Sequence, residues 1–310
     1  MISDHAKGIL CGLGASTLWG STFVASRYLV EWQGLDPYYV AALRYMTGGI
    51  LLVPYVLVVS GGRKMLRGTT YLPQLLALAV VGIVIMGAML AVSTAYTTSI
   101  NSSLIVNGNA IFIALFAWLL GERVPFLRSV GLVIGLVGVA VITLSSAPDQ
   151  VHPPANNLLG GIAAVVSAAA WALYTVLGKS LVRKIGGLVT SAWTIMAGGL
   201  ILAAVALLMG TVRPLTQAEW LAVAYLGAFP TAVAMGLWYK GLEYIESSAL
   251  GPSQYIATPV SVVLGWALLA EAINASFIAG GILVLLGVYM ATKPLKNQSE
   301  DNSPNHTQNG

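Results

Sequence analysis

GILCGLGASTLWGSTFVASR, residues 8–27, and GGIAAVVSAAAWALYTVLGK, residues 160–179, read as two versions of one segment. Each runs without a charge until it closes on a cation, Arg27 in the first and Lys179 in the second, and an offset of 152 sets Trp19 on Trp171. The echo continues outward. Met46-Thr47-Gly48-Gly49 matches Met196-Ala197-Gly198-Gly199, Leu119-Leu120-Gly121-Glu122 matches Leu268-Leu269-Ala270-Glu271, and Gly131 with Gly138 matches Gly280 with Gly287. The chain is therefore read as a duplication, with a Pro-rich polar linker at 147–157 joining a first copy at 8–146 to a second at 158–293.

Composition decides the solvent. Of 310 residues, 57% are AVILMFWYC and 8% are charged, against about 25% charged in a soluble domain. Too few polar side chains exist to solvate the outside of a globule of this size, so the lipid bilayer is the expected surrounding. One cysteine and three histidines, with no ligand spacing among them, exclude a disulfide framework and a zinc site. No metal and no cofactor are expected. The net charge of +4 is spread as single and paired cations between apolar runs, which is no footprint for nucleic acid.

The charged positions leave charge-free stretches at 8–26, 45–62, 68–121, 129–148, 150–178, 185–212, 220–239, 247–270 and 272–292. A crossing helix takes about 20 residues. The stretch 68–121 is too long for one and is interrupted by the polar run 97–103, so it counts as two, giving ten spans. The second span must include Arg44, with Pro37 suited to its first turn. Of the fifteen Lys and Arg, twelve fall on one side and only Arg27 and Arg213 on the other. The positive-inside rule then puts both termini in the cytoplasm, with residues 1–7 a short cytoplasmic start and 294–310 a polar tail expected to be disordered. Five spans per copy is an odd number, so the copies enter the membrane in opposite directions. The expected fold is an all-α integral membrane protein of ten transmembrane helices arranged as two inverted five-helix repeats, a plan suited to alternating access.

These features resemble the drug/metabolite transporter superfamily, in its ten-helix EamA type. The likeness is carried by Ser16-Thr17-Leu18-Trp19-Gly20-Ser21, Ala42-Leu43-Arg44-Tyr45 and Leu119-Leu120-Gly121-Glu122-Arg123. It is echoed by Trp171-Ala172-Leu173-Tyr174, Thr258-Pro259 and Leu268-Leu269-Ala270-Glu271, and it covers about residues 8–293. Asn109-Ala110 stands where such repeats often carry a proline. The resemblance implies export or exchange of small metabolites, amino acids or drugs, in a bacterial inner (plasma) membrane, and no enzyme activity.

The spans themselves hold little reactive chemistry. No Asp, Glu or His falls mid-span, so a carboxylate proton relay, a nucleophile with its base, and a catalytic metal set all lack their residues. Arg44, on the order of 10 Å into its helix, faces either a solute anion or a packing partner. Trp19 and Thr22 share a face of the first helix and Trp171 and Tyr174 a face of the sixth, aromatic and weakly polar surfaces that suit either an amphipathic solute or helix packing. Asn107, Asn109 and Gln254 need partners in hydrocarbon. Pro259 frees the carbonyl of Tyr255, and Pro230 that of Leu226. Glu122 and Glu271 sit at matching repeat positions on opposite faces, as gating salt-bridge formers or as interfacial caps; Lys179 and Arg27 read as snorkelling cations. Substrate contacts are expected at Trp19, Thr22, Arg44, Asn107, Trp171, Tyr174, Gln254 and Tyr255. A carrier of small organic solutes, monomer or homodimer, is the leading expectation, against a membrane-embedded receptor or structural partner without transport.

Overall fold

The computed structural model describes residues 3–96, 105–145, 157–269 and 275–293, and every regular element among them is helical. The helices are α1 (Asp4–Arg27), α2 (Pro37–Ser60), α3 (Gly62–Leu90), α4 (Ile105–Leu119), α5 (Phe126–Ser145), α6 (Asn157–Ile185), α7 (Gly187–Leu208), α8 (Gln217–Tyr244), α9 (Ala257–Leu269) and α10 (Ala275–Thr292). Among the described residues seven of them, α1, α2, α3, α6, α7, α8 and α10, are long and apolar enough to cross a membrane; α4 is a shorter apolar helix. The polar run 97–103, all of the linker but Asn157, and the tail lie outside the described residues.

Helix starts follow their local chemistry. Asp36 caps α2, its carboxylate accepting the N–H of Tyr38 and Tyr39 at 2.9 and 3.1 Å, with Pro37 in the first turn. Thr216 and Glu219 form a reciprocal capping box on α8. The first helix starts earlier than the charge pattern predicts, because Ser3 caps it and Asp4 and Lys7 pair along its first turn. Its lead residues pack rather than dangle: His5 Nε2 lies 2.6 Å from the Thr292 carbonyl oxygen, so the start of α1 and the end of α10 share one end of the bundle.

Packing is ordered by pairs. α2 lies along α7 and α5 along α10; α1 packs on α8 and α9, while α6 packs on α3 and α4. Exchanging α1 to α5 with α6 to α10 in order leaves this pattern unchanged. The α5–α10 seam is made of glycine. A Cβ at Gly131 would stand 2.6 Å from the backbone nitrogen of Ala291, and one at Gly138 equally close to that of Val284, so the two backbones touch only because these side chains are absent.

Two helices depart from regular geometry at comparable places. α3 carries a wide turn at Val80–Ile85 and α8 one at Gly227–Val233, the latter holding Pro230. Such turns open the hydrogen-bond ladder and recur at functional sites. A third irregularity precedes α9, where a one-turn helix Ser247–Leu250 tightens into a 3₁₀ segment, Gly251–Ile256, just before Pro259.

Candidate functional site

The aromatic residues of α1 and α6 meet. Trp19 and Trp171 stand edge to face, ring centres 5.2 Å apart and planes at 86°. Trp238 of α8 closes a triangle, 5.2 Å from Trp19 and 6.1 Å from Trp171. Tyr174 stacks on Trp171 at 5.4 Å and meets Tyr239 at 5.2 Å. Each such pair contributes about 0.5–1.5 kcal/mol beyond burial. The cluster is anchored by its polar tips: Tyr174 hydroxyl to Thr194 at 2.9 Å, Tyr239 hydroxyl donating to the Tyr174 carbonyl at 3.1 Å, and Trp238 indole N–H to Thr175 at 3.3 Å. Gly82, within the wide turn of α3, leaves the space that the Tyr174 ring fills.

The wide turn of α8 joins Arg44 to this cluster. Its carbonyl at Pro230 accepts the Trp19 indole N–H at 3.0 Å. The Leu226 carbonyl, freed by Pro230 as its sequence requires, accepts the Thr231 hydroxyl at 2.8 Å. Thr231 in turn accepts Arg44 Nε at 2.8 Å. The Arg44 guanidinium lies 5.2 Å from the Tyr45 ring, and among the described residues its two terminal nitrogens have no hydrogen-bond partner. That leaves a planar fork of donors, the geometry that grips a carboxylate with two parallel bonds.

Among the described residues, four buried polar atoms near these helices are also without a partner: Thr22 Oγ1 on α1, the Trp171 indole nitrogen on α6, Asn109 Oδ1 on α4 and Gln254 Oε1 in the 3₁₀ segment before α9. Orphaned buried groups are uncommon and mark places where something else completes the hydrogen bond. Asn107 is half-buried near the start of α4. Tyr255 stands apart. Fully buried, it packs on Gly135 and donates to the Leu132 carbonyl at 3.1 Å, in the core around α5 and α10 rather than in the aromatic cluster.

Glu122 lies at a second junction, just beyond α4. Lys179 at the end of α6 donates to it at 2.9 Å, and the Ser247 and Ser248 N–H groups donate at 3.2 and 3.1 Å. Lys179 is buried in this contact, so the expectation that it snorkels into water is corrected: its charge has a carboxylate to meet inside the protein. Burial alone raises the Glu122 carboxyl, but the Lys179 charge and bond and the two serine N–H groups outweigh it and hold the group below the usual carboxylate range. Alongside, Arg128 is 3% exposed, donating to Ser248 Oγ at 2.6 Å and to the Ala291 carbonyl at 3.2 Å, with Glu246 3.8 Å away. The sequence counted Arg128 only as a topological cation. Glu271 lies outside the described residues.

The EamA-like transporter family matches the chain twice, over residues 6–144 and again over 158–293. The chain belongs to that family. A relative from Archaeoglobus fulgidus, named an uncharacterized transporter, is 30% identical over 89% of this chain and 95% of its own length. The uncharacterized inner membrane transporter YedA of Escherichia coli K12 is 27% identical over 88% of this chain and 89% of its own. A protein known from a crystal structure superposes with a TM-score of 0.79 at 23% identity, covering 92% of this chain and 97% of that one, which shows a shared fold. Membership of the EamA-like family and seven apolar helices make this a multi-pass membrane protein.

Proposed function

We propose that the chain is a secondary transporter of the inner membrane that exports or exchanges small organic metabolites, amino acids or related amphipathic solutes, by alternating access. The observation that carries this reading is the junction of Trp19 with Trp171, corresponding positions of the two copies, meeting edge to face beside an arginine with an unused donor fork. Rings to hold an apolar body and a cation to orient an anionic end are what an amphipathic solute needs.

The topology supports it. The contact between the start of α1 and the end of α10 supports an even number of crossings. Seven long helices cannot satisfy that, whereas adding α4, α5 and the helical run from Ser247 through α9 gives ten. The invariance of the packing under exchange of halves, and the double match to one family, support two inverted repeats. Twelve cations against two favour cytoplasmic termini. On that orientation the contacts of Glu122 and Arg128 join the cytoplasmic ends of α4, α5, α6 and α10 to the lead-in of α9, and they act as the latch that closes the inner side.

The test is counterflow in proteoliposomes loaded with a mixed pool of amino acids, nucleosides, sugars and cationic drugs, with and without a pH gradient. Saturable exchange of a zwitterionic or acidic solute without the gradient is expected. No solute moved under either condition overturns the transport reading.

A further inference from the structure

At the end of the bundle that carries the cations, α2, α3, α6, α7 and α8 surround a cavity of about 460 Å³. Its lining includes Lys64, Arg67, Arg183, Lys184 and Lys240, against one carboxylate, Glu243. Glu243 is already used on both oxygens: one accepts the Gly187 N–H at 2.6 Å, at the start of α7, and the other pairs with Lys240. Lys184 rests 5.1 Å over the Tyr71 ring. That leaves Lys64, Arg67 and Arg183, all exposed, with no carboxylate within ion-pair distance among the described residues.

Topological cations need only be on the right side of the membrane. They need not converge, because like charges brought together repel. Here three uncompensated cations from two separate hairpins edge one concavity of a size suited to a small polar group. Exposed apolar side chains lie next to it. Val58 and Val59, exposed and apolar, directly precede Ser60 of the lining, and Leu66, 69% exposed, sits between Lys64 and Arg67. Trp193 donates its indole N–H to the Met65 carbonyl at 3.2 Å, and with Tyr71 it supplies the interfacial aromatics that mark headgroup depth.

We propose that this cavity binds a phosphate ester anion, the headgroup of an anionic phospholipid of the cytoplasmic leaflet, with its acyl chains along the exposed valines of α2. The phosphate oxygens accept from Arg67 and Arg183 as forked donors and from Lys64 as a point charge. Because its walls come from α2 and α3 of the first copy and α6 and α7 of the second, the lipid ties the two copies at their inner ends.

The experiment is native mass spectrometry of the whole protein in detergent, titrated separately with phosphatidylglycerol, phosphatidylcholine and inorganic phosphate. Wild type is expected to retain phosphatidylglycerol over phosphatidylcholine. The variant K64A/R67A/R183A is expected to lose about fivefold in that preference for each cation removed, and R67K/R183K to keep most of it. All three positions are exposed, and thermal unfolding of each variant without lipid confirms that it is folded. Inorganic phosphate displacing the lipid in wild type but not in the triple variant supports a phosphate site; inorganic phosphate binding as tightly as the lipid overturns the lipid as its occupant. Equal retention of both lipids by wild type, or unchanged retention by the triple variant, overturns the proposal.

Discussion

Arg44 is held by one nitrogen and offers two. Its Nε is fixed on Thr231, so the remaining fork is oriented before any solute arrives. Arg44→Ala is expected to raise the half-saturation concentration of acidic and zwitterionic solutes about tenfold or more, while leaving cationic solutes nearly unchanged; equal loss for both classes returns Arg44 to packing. Trp19→Ala and Trp171→Ala each remove a ring from the same triangle and are expected to raise half-saturation roughly three- to tenfold, read by the same counterflow assay in folded protein. Glu122 makes a prediction against pH. Its folded-state carboxyl is held below the usual range, so the stabilisation it gives is present above the ordinary glutamate value of about 4.3 and is lost as pH falls through the lowered one. The difference in unfolding free energy between wild type and Glu122→Gln is therefore expected to stay constant from pH 8 to 5, at about 3 kcal/mol for a buried pair with one partner removed, and to shrink only in stronger acid. Shrinkage already between pH 7 and 6 contradicts this account.

Among these residues Trp19 and Trp171 were legible because the duplication aligned them. Trp238 was not. Its counterparts near Met86-Gly87-Ala88-Met89 carry no ring, so symmetry was silent, and only the fold of α8 brings it to the cluster. Arg128 was hidden for a similar reason. A cation at a helix end looks the same in sequence whether it faces water or, as here, the Ser248 hydroxyl and the Ala291 carbonyl of distant segments.

At the scale of elements, local signals were strong where one residue decides the outcome. Asp36-Pro37 set the start of α2, and Pro230 announced the freed Leu226 carbonyl, although not that Thr231 would close it. The glycines of α5 and α10 were legible as matching positions of the two copies, but not as meeting each other, since their partners lie about half a chain away. Gly138→Ala places a methyl 2.6 Å from the Val284 nitrogen, in backbone that cannot rotate aside, and is expected to destabilise the protein by about 1–3 kcal/mol. Gly281→Ala, on the partner helix α10 with open space beside it, is expected to be neutral. Thermal unfolding of both in detergent checks the pair.

For the whole molecule, composition and charge spacing were enough to read an all-helical membrane protein, because lipid allows few solutions for the backbone. Which helices would touch was beyond them. That information resides in the shape of surfaces such as the glycine seam, not in their hydropathy.

The pairing of α2 with α7 and of α5 with α10 also dictates a timetable for synthesis. When α5 leaves the ribosome, α10 is still about 150 residues unmade, which at 5–20 residues per second is a wait of about 8–30 s. During that time the nascent first half exposes its seams to lipid with no partner to cover them. A chain stopped after residue 146 is expected to insert yet to be degraded far faster than the full protein in a pulse-chase measurement. Supplying residues 158–310 as a separate polypeptide is expected to restore its lifetime, because what the first half lacks is its complement and not its peptide bond.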